Sequence, residues 1–291
     1  MCDKGSINLT SPEFWKGLVK KKARHGNVDK GADCWDRAAA TYDDLEACSD
    51  YLSQLNTIIS TLLKAGALHA DARVLDVACG TGNYGIRMAP HCLEYTGLDI
   101  SRSMLDQFEA KIQRYNLRNI HIIHADWLQQ KLQDRFDLVF CSLSPILRYM
   151  ENIDTLLDAS KRFVAIVSWA GVKDNSLSAR ISQRIFGQPD RRSCMDVLTL
   201  FNYLYTLGYA PDLRFFHGNW QRTRKIAEQI ESISWQMEMK RPLTPEEKSI
   251  ISEEVESEGK DGYVSVVTRV RLAFLLLDKT QRITIQEECK I

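Results

Sequence analysis

The residues best suited to chemistry lie in one short segment, 74–85, where an apolar run ends in a glycine-rich turn. Gly80, Gly82 and Gly85 have the Gly-x-Gly-x-x-Gly spacing of a turn that joins a buried strand to a helix. Glycine is needed there because the chain bends tightly and a ligand approaches its backbone. In open α/β sheets, ligands bind in the crevice at this carboxyl end of the strands. The segment therefore predicts a cofactor site.

Two carboxylates near this turn limit the kind of cofactor. Asp99 ends the next predicted strand and suits the ribose hydroxyls of an adenosine, so with the glycines alone it fits NAD as well as S-adenosyl-L-methionine. Asp76 comes directly before the turn, where a carboxylate would attract an ammonium group and repel a pyrophosphate. Asp76 therefore favours S-adenosyl-L-methionine, although it could instead accept hydrogen bonds from amides of the turn itself.

Two further residues are candidates for a catalytic role. Tyr42 belongs to the segment 35–43, and its ring either closes over the cofactor or packs a helix onto the sheet. His217 follows a late strand candidate near the expected pocket mouth, where it would act as a general base or be structural. His121 and His124 lie three positions apart on a strand and face opposite sides, so they predict no shared metal site.

The elements that must position these residues follow from the hydrophobic pattern. Residues 1–66 are mostly helical in pattern and form a predicted N-terminal helical cap. From there, short apolar runs alternate with helical segments, which predicts strands joined by right-handed crossovers in a mostly parallel sheet. The predicted strands are 74–77, 95–99, 120–123, 136–141, 163–169, 212–216 and 263–277. A helical insertion at about 221–258 is placed to form a lid over one end of the sheet.

Composition limits the partners and the compartment. The 291 residues are 44% hydrophobic and 26% charged, with a formal net charge of zero, so binding to nucleic acid over a whole basic face is disfavoured. One basic cluster is better explained as a solvated helix end; it comprises Lys16, Lys20, Lys21, Lys22, Arg24 and His25. Eight cysteines without a Cys-x-x-Cys pair, and no apolar signal or membrane segment, predict a cytoplasmic protein.

Four segments occur in the order and at about the spacing of a known family: 76–82, 97–101, 124–128 and 136–142. With them the chain resembles the class I, S-adenosyl-L-methionine-dependent methyltransferases of the small-molecule type. The resemblance implies an α/β fold with a doubly wound, seven-stranded, mostly parallel sheet whose last strand is antiparallel. Residues 67–291 would form this Rossmann-like domain. The cofactor-binding residues it implies are Asp76, Ala78, Gly80, Gly82, Asp99, Ile100, Asp126, Trp127 and Cys141.

The resemblance also assigns roles within that set. Gly80 and Gly82 would approach the methionine part of the cofactor, Asp99 would hold the ribose, and Asp126 would accept from the adenine amino group. Ala78 stands where the family often has glycine, which implies less need for backbone freedom there. The segment 142–145 lacks the Asn/Asp-Pro-Pro motif of enzymes that methylate amino groups of bases and glutamine, which argues against that branch.

Four functions are compatible with these residues. The first is methyl transfer to a small-molecule acceptor; the others are methyl transfer to RNA or protein, NAD-dependent oxidoreduction, and cofactor binding without catalysis. Methyl transfer from a sulfonium is an in-line displacement, in which positioning alone can lower the barrier by about 7 to 11 kcal/mol. A general base is needed only if the acceptor must lose a proton. The sequence therefore does not need to contain a catalytic triad, and it does not identify the acceptor.

Overall fold

The computed structural model describes residues 8–23, 31–130, 132, 135–188 and 197–284. Arg24 and His25 of the basic cluster, and most of the polar C-terminal segment that follows Thr280, lie outside the described residues. Among the described residues, no helix combines the length and the apolar character needed to cross a bilayer.

The core of the fold is a seven-stranded sheet with the strand order β3-β2-β1-β4-β5-β7-β6. Neighbouring strands from β3 to β5 are parallel, whereas β7 is antiparallel to both β5 and β6. The predicted doubly wound sheet with an antiparallel last strand is therefore confirmed. The strands are β1 Arg73–Val77, β2 Glu94–Asp99, β3 Ile120–His124, β4 Phe136–Ser142, β5 Ser160–Asp174, β6 Asp212–Lys225 and β7 Tyr263–Asp278.

Ten α-helices of the described residues surround this sheet, together with four short 3₁₀ helices. The α-helices are α1 Pro12–Ala23, α2 Ala32–Ala39, α3 Ser49–Lys64, α4 Gly85–Met88, α5 Arg102–Arg114, α6 Met150–Ala159, α7 Ser176–Phe186, α8 Val197–Thr206, α9 Ile226–Glu238 and α10 Pro245–Ser257. The 3₁₀ helices are Tyr42–Ala47, Ala89–His91, Trp127–Gln129 and Pro145–Arg148.

Strand β6 differs from the sequence prediction. It continues to Lys225 and pairs with β7 along its whole length, so Gln221–Lys225 are strand and the predicted helical insertion begins only at Ile226. The physical reason is a period of two: the even-numbered residues Trp220, Arg222 and Arg224 are buried or half-buried, whereas the odd-numbered residues of 219–225 are exposed. The insertion itself consists of α9 and α10.

Alternate residues of the central strands build separate cores on the two faces of the sheet. Val74 and Phe140 pack with Leu62 of α3 on one face, whereas Leu75 and Val139 belong to the core on the other. A third cluster joins α7, α9 and α10 to the start of β7 through Ile181, Ile233, Ile251, Val255 and Val264. The insertion thus has its own small core and is held against the sheet beside its carboxyl edge.

Candidate functional site

The glycine turn after β1 is held by the carboxylate at the end of β2. Asp99 accepts hydrogen bonds from the backbone amides of Gly80 (2.8 Å) and Ser101 (2.9 Å). Gly80 has φ +54°, in the left-handed region that favours glycine, and the nearest atom to an added Cβ would be a ring carbon of Tyr42 at 3.7 Å. Burial raises the pKa of Asp99, while the amide hydrogen bonds oppose that rise. Asp99 therefore fixes the turn and the start of α5 together.

Asp76 is a buried carboxylate near the end of β1, with 2% of its surface exposed. It accepts a hydrogen bond from the hydroxyl of Tyr95. Burial, and to a lesser extent the nearby charge of Asp99, raise its pKa to about 7, although the hydrogen bond from Tyr95 lowers it. Within the described part of the chain no cation pairs with Asp76. A cationic group of a ligand would therefore be stabilised at this carboxylate.

Two cavities adjoin each other at the carboxyl edge of the sheet. The smaller, of about 390 Å³, is lined by Gly80, Asp99, Ile100, Asp126 and Trp127, among others. The larger, of about 820 Å³, is lined by Asp76, Tyr84, Trp169, Trp220 and Arg222, among others. A common wall of Trp35, Tyr42, Ala78, Ser142 and Leu143 borders both cavities. The two spaces therefore meet directly above the ends of β1 and β4.

The backbone of this common wall is strained. Ala78 has φ +59° and Leu143 has φ +51°, a region that residues with a side chain rarely adopt. The expectation that Ala78 needs little backbone freedom is therefore wrong, because it keeps the glycine-like conformation without being glycine. Ala78 directly follows β1, and Leu143 directly follows β4. Backbone strain of this kind is concentrated at functional sites.

At the far end of the smaller cavity, the strand β3 is followed by a short 3₁₀ helix. Asp126 caps this helix by accepting from the Leu128 amide at 2.9 Å, and Gln129 donates to its other oxygen at 3.3 Å. Trp127 is 3% exposed, and its buried indole N–H has no hydrogen-bond partner. A buried donor without an acceptor is costly, so this N–H is suited to an acceptor atom that a ligand provides.

Acidic residues attach the N-terminal helices to the cofactor turn. Asp36 of α2 accepts from the Ser101 hydroxyl at 2.5 Å and from the Ser103 amide at 3.0 Å, at the start of α5. Asp43 accepts from the Thr81 hydroxyl and pairs with Lys111 at 2.8 Å. These contacts position the neighbouring rings of Trp35 and Tyr42 over the two cavities.

Comparisons with known proteins agree with this geometry. Residues 74–166 match a family model described as a methyltransferase domain. Residues 74–166 form a class I methyltransferase domain. Over these residues, the match agrees with the predicted S-adenosyl-L-methionine-dependent methyltransferase family.

Individual relatives match over part of their length. The putative methyltransferase YqeM of Bacillus subtilis is 36% identical over 136 residues, which cover 46% of this chain and 51% of that protein. The demethylmenaquinone methyltransferase of Listeria monocytogenes is 31% identical over 107 residues, covering 32% of this chain and 45% of that protein. A putative methyltransferase structure from Bacillus halodurans is 17% identical, covering 76% of this chain and 98% of its own, with a TM-score of 0.49. The matches to the two curated relatives, YqeM and the Listeria enzyme, thus span about half the length of each of those proteins.

Three predicted site residues of the methyltransferase domain and its flanking strand lie away from both cavities. Cys141 is fully buried in the core. Gly82 lines neither cavity; a Cβ on it would lie 2.0 Å from the Phe108 ring, so its glycine makes room for packing. His217 lies within β6, is exposed and lines neither cavity, so the structure does not support it as a general base.

Sequence reasoning did not single out Arg222, which lines the larger cavity beside the methyltransferase domain. Its buried Nε has no hydrogen-bond partner. Burial and the nearby charge of Arg224 together lower its pKa to about 10. The signal that could have revealed it is the alternation of Trp220, Arg222 and Arg224 along a strand, which the helical assignment of this segment concealed.

Proposed function

We propose that this chain transfers a methyl group from S-adenosyl-L-methionine to a small-molecule acceptor bound in the larger cavity. The observation that carries the proposal is the common wall, where the cofactor turn and a second, aromatic cavity meet. An in-line displacement needs such a junction, because the acceptor atom must approach the methyl group from the side opposite the sulfur.

In this proposal the smaller cavity holds the adenosine part of the cofactor. Asp99 accepts from the ribose hydroxyls, and Asp126 with Trp127 lies at the adenine. Asp76 pairs with the ammonium group, which compensates the buried carboxylate. Gly80 lets the methionine part approach the turn. Bound S-adenosyl-L-methionine supplies a methyl group on a sulfonium, whose leaving group is already activated.

The residues of the chain have to align the acceptor atom with the methyl group and the sulfur, and to exclude water. Trp35 and Tyr42 cover the junction, and the backbone at Leu143 borders it from the β4 side. Although 39% of the Tyr42 surface is exposed, desolvation around its hydroxyl raises its pKa to about 12, so the hydroxyl stays protonated at neutral pH and can donate a hydrogen bond at the junction. We therefore assign Tyr42 a positioning role towards the acceptor or the cofactor and propose no general base.

A small acceptor fits the surroundings of the larger cavity better than a macromolecule. The cavity lies between the N-terminal helices, β6 and α9, and charged side chains of both signs line it, including Arg37, Glu228 and Glu231. A nucleic-acid substrate would need a continuous basic face. The Listeria relative is named for a small molecule, demethylmenaquinone.

The free thiols of Cys34, Cys48, Cys79, Cys92 and Cys141 accord with a reaction in the cytoplasm.

The test is transfer of an isotope-labelled methyl group. The protein is incubated with methyl-labelled S-adenosyl-L-methionine and, in parallel, with the small-molecule, RNA and protein fractions of a cell extract. We expect mass spectrometry to find the label in a compound of the small-molecule fraction, and to lose it with the Asp99→Ala variant. Label confined to the RNA or protein fraction would contradict the small-molecule acceptor.

A further inference from the structure

Three even-numbered residues of β6 face the N-terminal helices, and two of them are fully partnered. The Trp220 indole donates to Gln54 Oε1 at 3.0 Å. Arg224 pairs with Asp44 and also donates to the Ser232 hydroxyl (2.7 Å) and the Thr41 carbonyl (3.0 Å). Arg222 lies between them on the same face and lines the larger cavity, yet it makes no hydrogen bond or ion pair with any residue that the structure describes.

A half-buried guanidinium whose Nε is enclosed without a partner is unfavourable for the fold. The free energy lost when a charge leaves water is not recovered unless the site provides an opposite charge or hydrogen bonds. Buried arginines are therefore normally paired. Burial lowers the pKa of Arg222 only to about 10, so it still carries its charge at neutral pH. The nearest charged groups on the neighbouring elements do not neutralise it, because Arg224 repels it and Asp44 is already bound by Arg224. Among the described residues, Arg222 therefore has no acidic partner, and an anion from outside the chain would pair with it.

We propose that Arg222 binds a carboxylate of the methyl acceptor, which makes this acceptor a small aromatic or apolar carboxylic acid. This inference rests on the proposed function, since it names the class of compound that the larger cavity receives. The planar guanidinium fork matches a carboxylate with two parallel hydrogen bonds.

The rest of the cavity decides between kinds of anion. One guanidinium balances one negative charge, so a carboxylate fits where a doubly charged phosphate would leave a buried charge unpaired. Trp169 and Tyr51 both stand edge-on to Trp220, each at 5.5 Å between ring centroids. These rings, which also line the cavity, form an aromatic wall for the body of the acceptor.

The other carboxylate that could reach Arg222 is that of the cofactor itself. Arg222 lies on the edge strand β6, which is four strand positions from β1 in the sheet. Asp76 of the cofactor strand and Arg222 nevertheless line the same larger cavity. The experiment below therefore distinguishes the two sources of the carboxylate.

The test measures binding to the full chain saturated with S-adenosylhomocysteine. The probes are 4-hydroxybenzoate, 4-aminobenzoate and indole-3-acetate, each compared with its neutral primary amide by calorimetry. The proteins are the wild type, Arg222→Met, Arg222→Lys and a control, Arg214→Met, which removes a half-exposed arginine of the same strand paired with Asp212. Affinity for S-adenosylhomocysteine alone and the melting temperature are measured for each protein.

We expect at least one acid to bind roughly tenfold more tightly than its amide to the wild type and to Arg214→Met. The preference for the acid over its amide should disappear in Arg222→Met and persist in part in Arg222→Lys. Affinity for S-adenosylhomocysteine should stay unchanged. Without acid, Arg222→Met should melt at a higher temperature, because an uncompensated buried charge is gone.

Three results would decide against the proposal or its basis. If no acid binds in preference to its amide, the proposal is overturned. If Arg222→Met loses affinity for S-adenosylhomocysteine while the acid preference remains, Arg222 binds the cofactor's carboxylate instead. If the wild type does not bind S-adenosylhomocysteine at all, the proposed function fails independently of Arg222.

Discussion

Asp76 illustrates how a single residue can set the conditions for cofactor binding. Its carboxylate is buried, accepts from the Tyr95 hydroxyl and lies near Asp99 and the Cys79 thiol, and no cation among the residues that the structure describes pairs with it. Its pKa of about 7 means that about half of the free protein carries the carboxylate in its neutral form near neutral pH. An ammonium group binds only the ionised form, so binding and proton release are coupled.

This coupling predicts a pH dependence. Between pH 5 and about 7, the affinity for S-adenosylhomocysteine should rise with pH, because its ammonium is already charged and Asp76 is losing its proton. Calorimetry in buffers of different ionisation enthalpy should show release of about one proton per ligand near pH 6. Asp76→Asn should bind weakly with no dependence in this range. A pH-independent wild type would contradict the role of Asp76.

The same pKa predicts the pH dependence of stability without ligand. Because the folded-state pKa of Asp76 is raised from 3.8 to about 7, the folded protein holds a proton that the unfolded chain releases. The contribution of Asp76 to the free energy of unfolding is therefore full below about pH 4 and is lost as pH rises through 7. Urea unfolding should show Asp76→Asn to be more stable than the wild type at pH 8, with the difference shrinking towards pH 4. An equal difference at both pH values would exclude this origin.

Gly80 and Gly82 should respond differently to an added methyl group. In Gly82→Ala, the left-handed φ of +75° and the overlap with Phe108 should lower the free energy of unfolding by about 3 kcal/mol. In Gly80→Ala the neighbouring space is open, so the cost should be about 1 kcal/mol, while the methyl group narrows the smaller cavity and weakens cofactor binding. Urea unfolding and calorimetry with S-adenosylhomocysteine measure the two effects. The interpretation fails if Gly82→Ala is the variant that keeps its stability and loses the ligand.

At the residue scale, the sequence predicts site residues most reliably where they belong to one local motif. Asp76, Gly80 and Asp99 were found from one turn and from the end of the next predicted strand. Asp126 was found because its segment, 124–128, resembles the methyltransferase family. Gly82 has the same motif spacing, but its role is packing against Phe108, a contact with a helix 26 positions later that no local pattern reveals. Arg222 was missed because it lies in the polar segment Gln221–Lys225, which has the composition of a helix.

The elements that complete the site are the N-terminal helices. The segment 35–43 was noticed for its aromatic residues, whereas the structure shows that its acidic residues make the attachments. Asp36 and Ser101 are 65 positions apart, so their hydrogen bond could not be predicted from the sequence of either segment. The same holds for β6: its pairing with β7, and not its own composition, makes its last five residues a strand.

The attachment of α2 makes a prediction at this scale. Asp36→Ala removes the acceptor of two hydrogen bonds at the start of α5, so α2 and Trp35 should be held less firmly over the cavities. Loss of a charged hydrogen bond of about 1.5 kcal/mol corresponds to roughly tenfold weaker binding of S-adenosylhomocysteine. Faster amide hydrogen exchange should appear in residues 32–47. The matched control is Asp33→Ala, an exposed aspartate of the same helix; an equal effect there would rule out the specific role of Asp36.

At the scale of the whole molecule, the sheet order explains why the site is where it is. Placing β1 between β2 and β4 brings three strand ends to one edge, with Asp99, Ala78 and Leu143 around the junction of the cavities. The alternation of apolar runs and helices predicted a mostly parallel sheet, and the family resemblance implied seven strands with an antiparallel last strand. The shape of the larger cavity was not predictable, because α2, the 3₁₀ helix Tyr42–Ala47, β6 and α9 come together from distant parts of the chain.

The central claim is that Asp76, Asp99 and Gly80 bind an adenosine joined to a cationic amino acid and not a dinucleotide. The most direct measurement is calorimetric titration of the wild type and Asp99→Ala with S-adenosylhomocysteine and with NAD. We predict binding of one S-adenosylhomocysteine per chain to the wild type, weaker binding to Asp99→Ala, and no binding of NAD to either. Binding of NAD by the wild type, without binding of S-adenosylhomocysteine, would contradict the account.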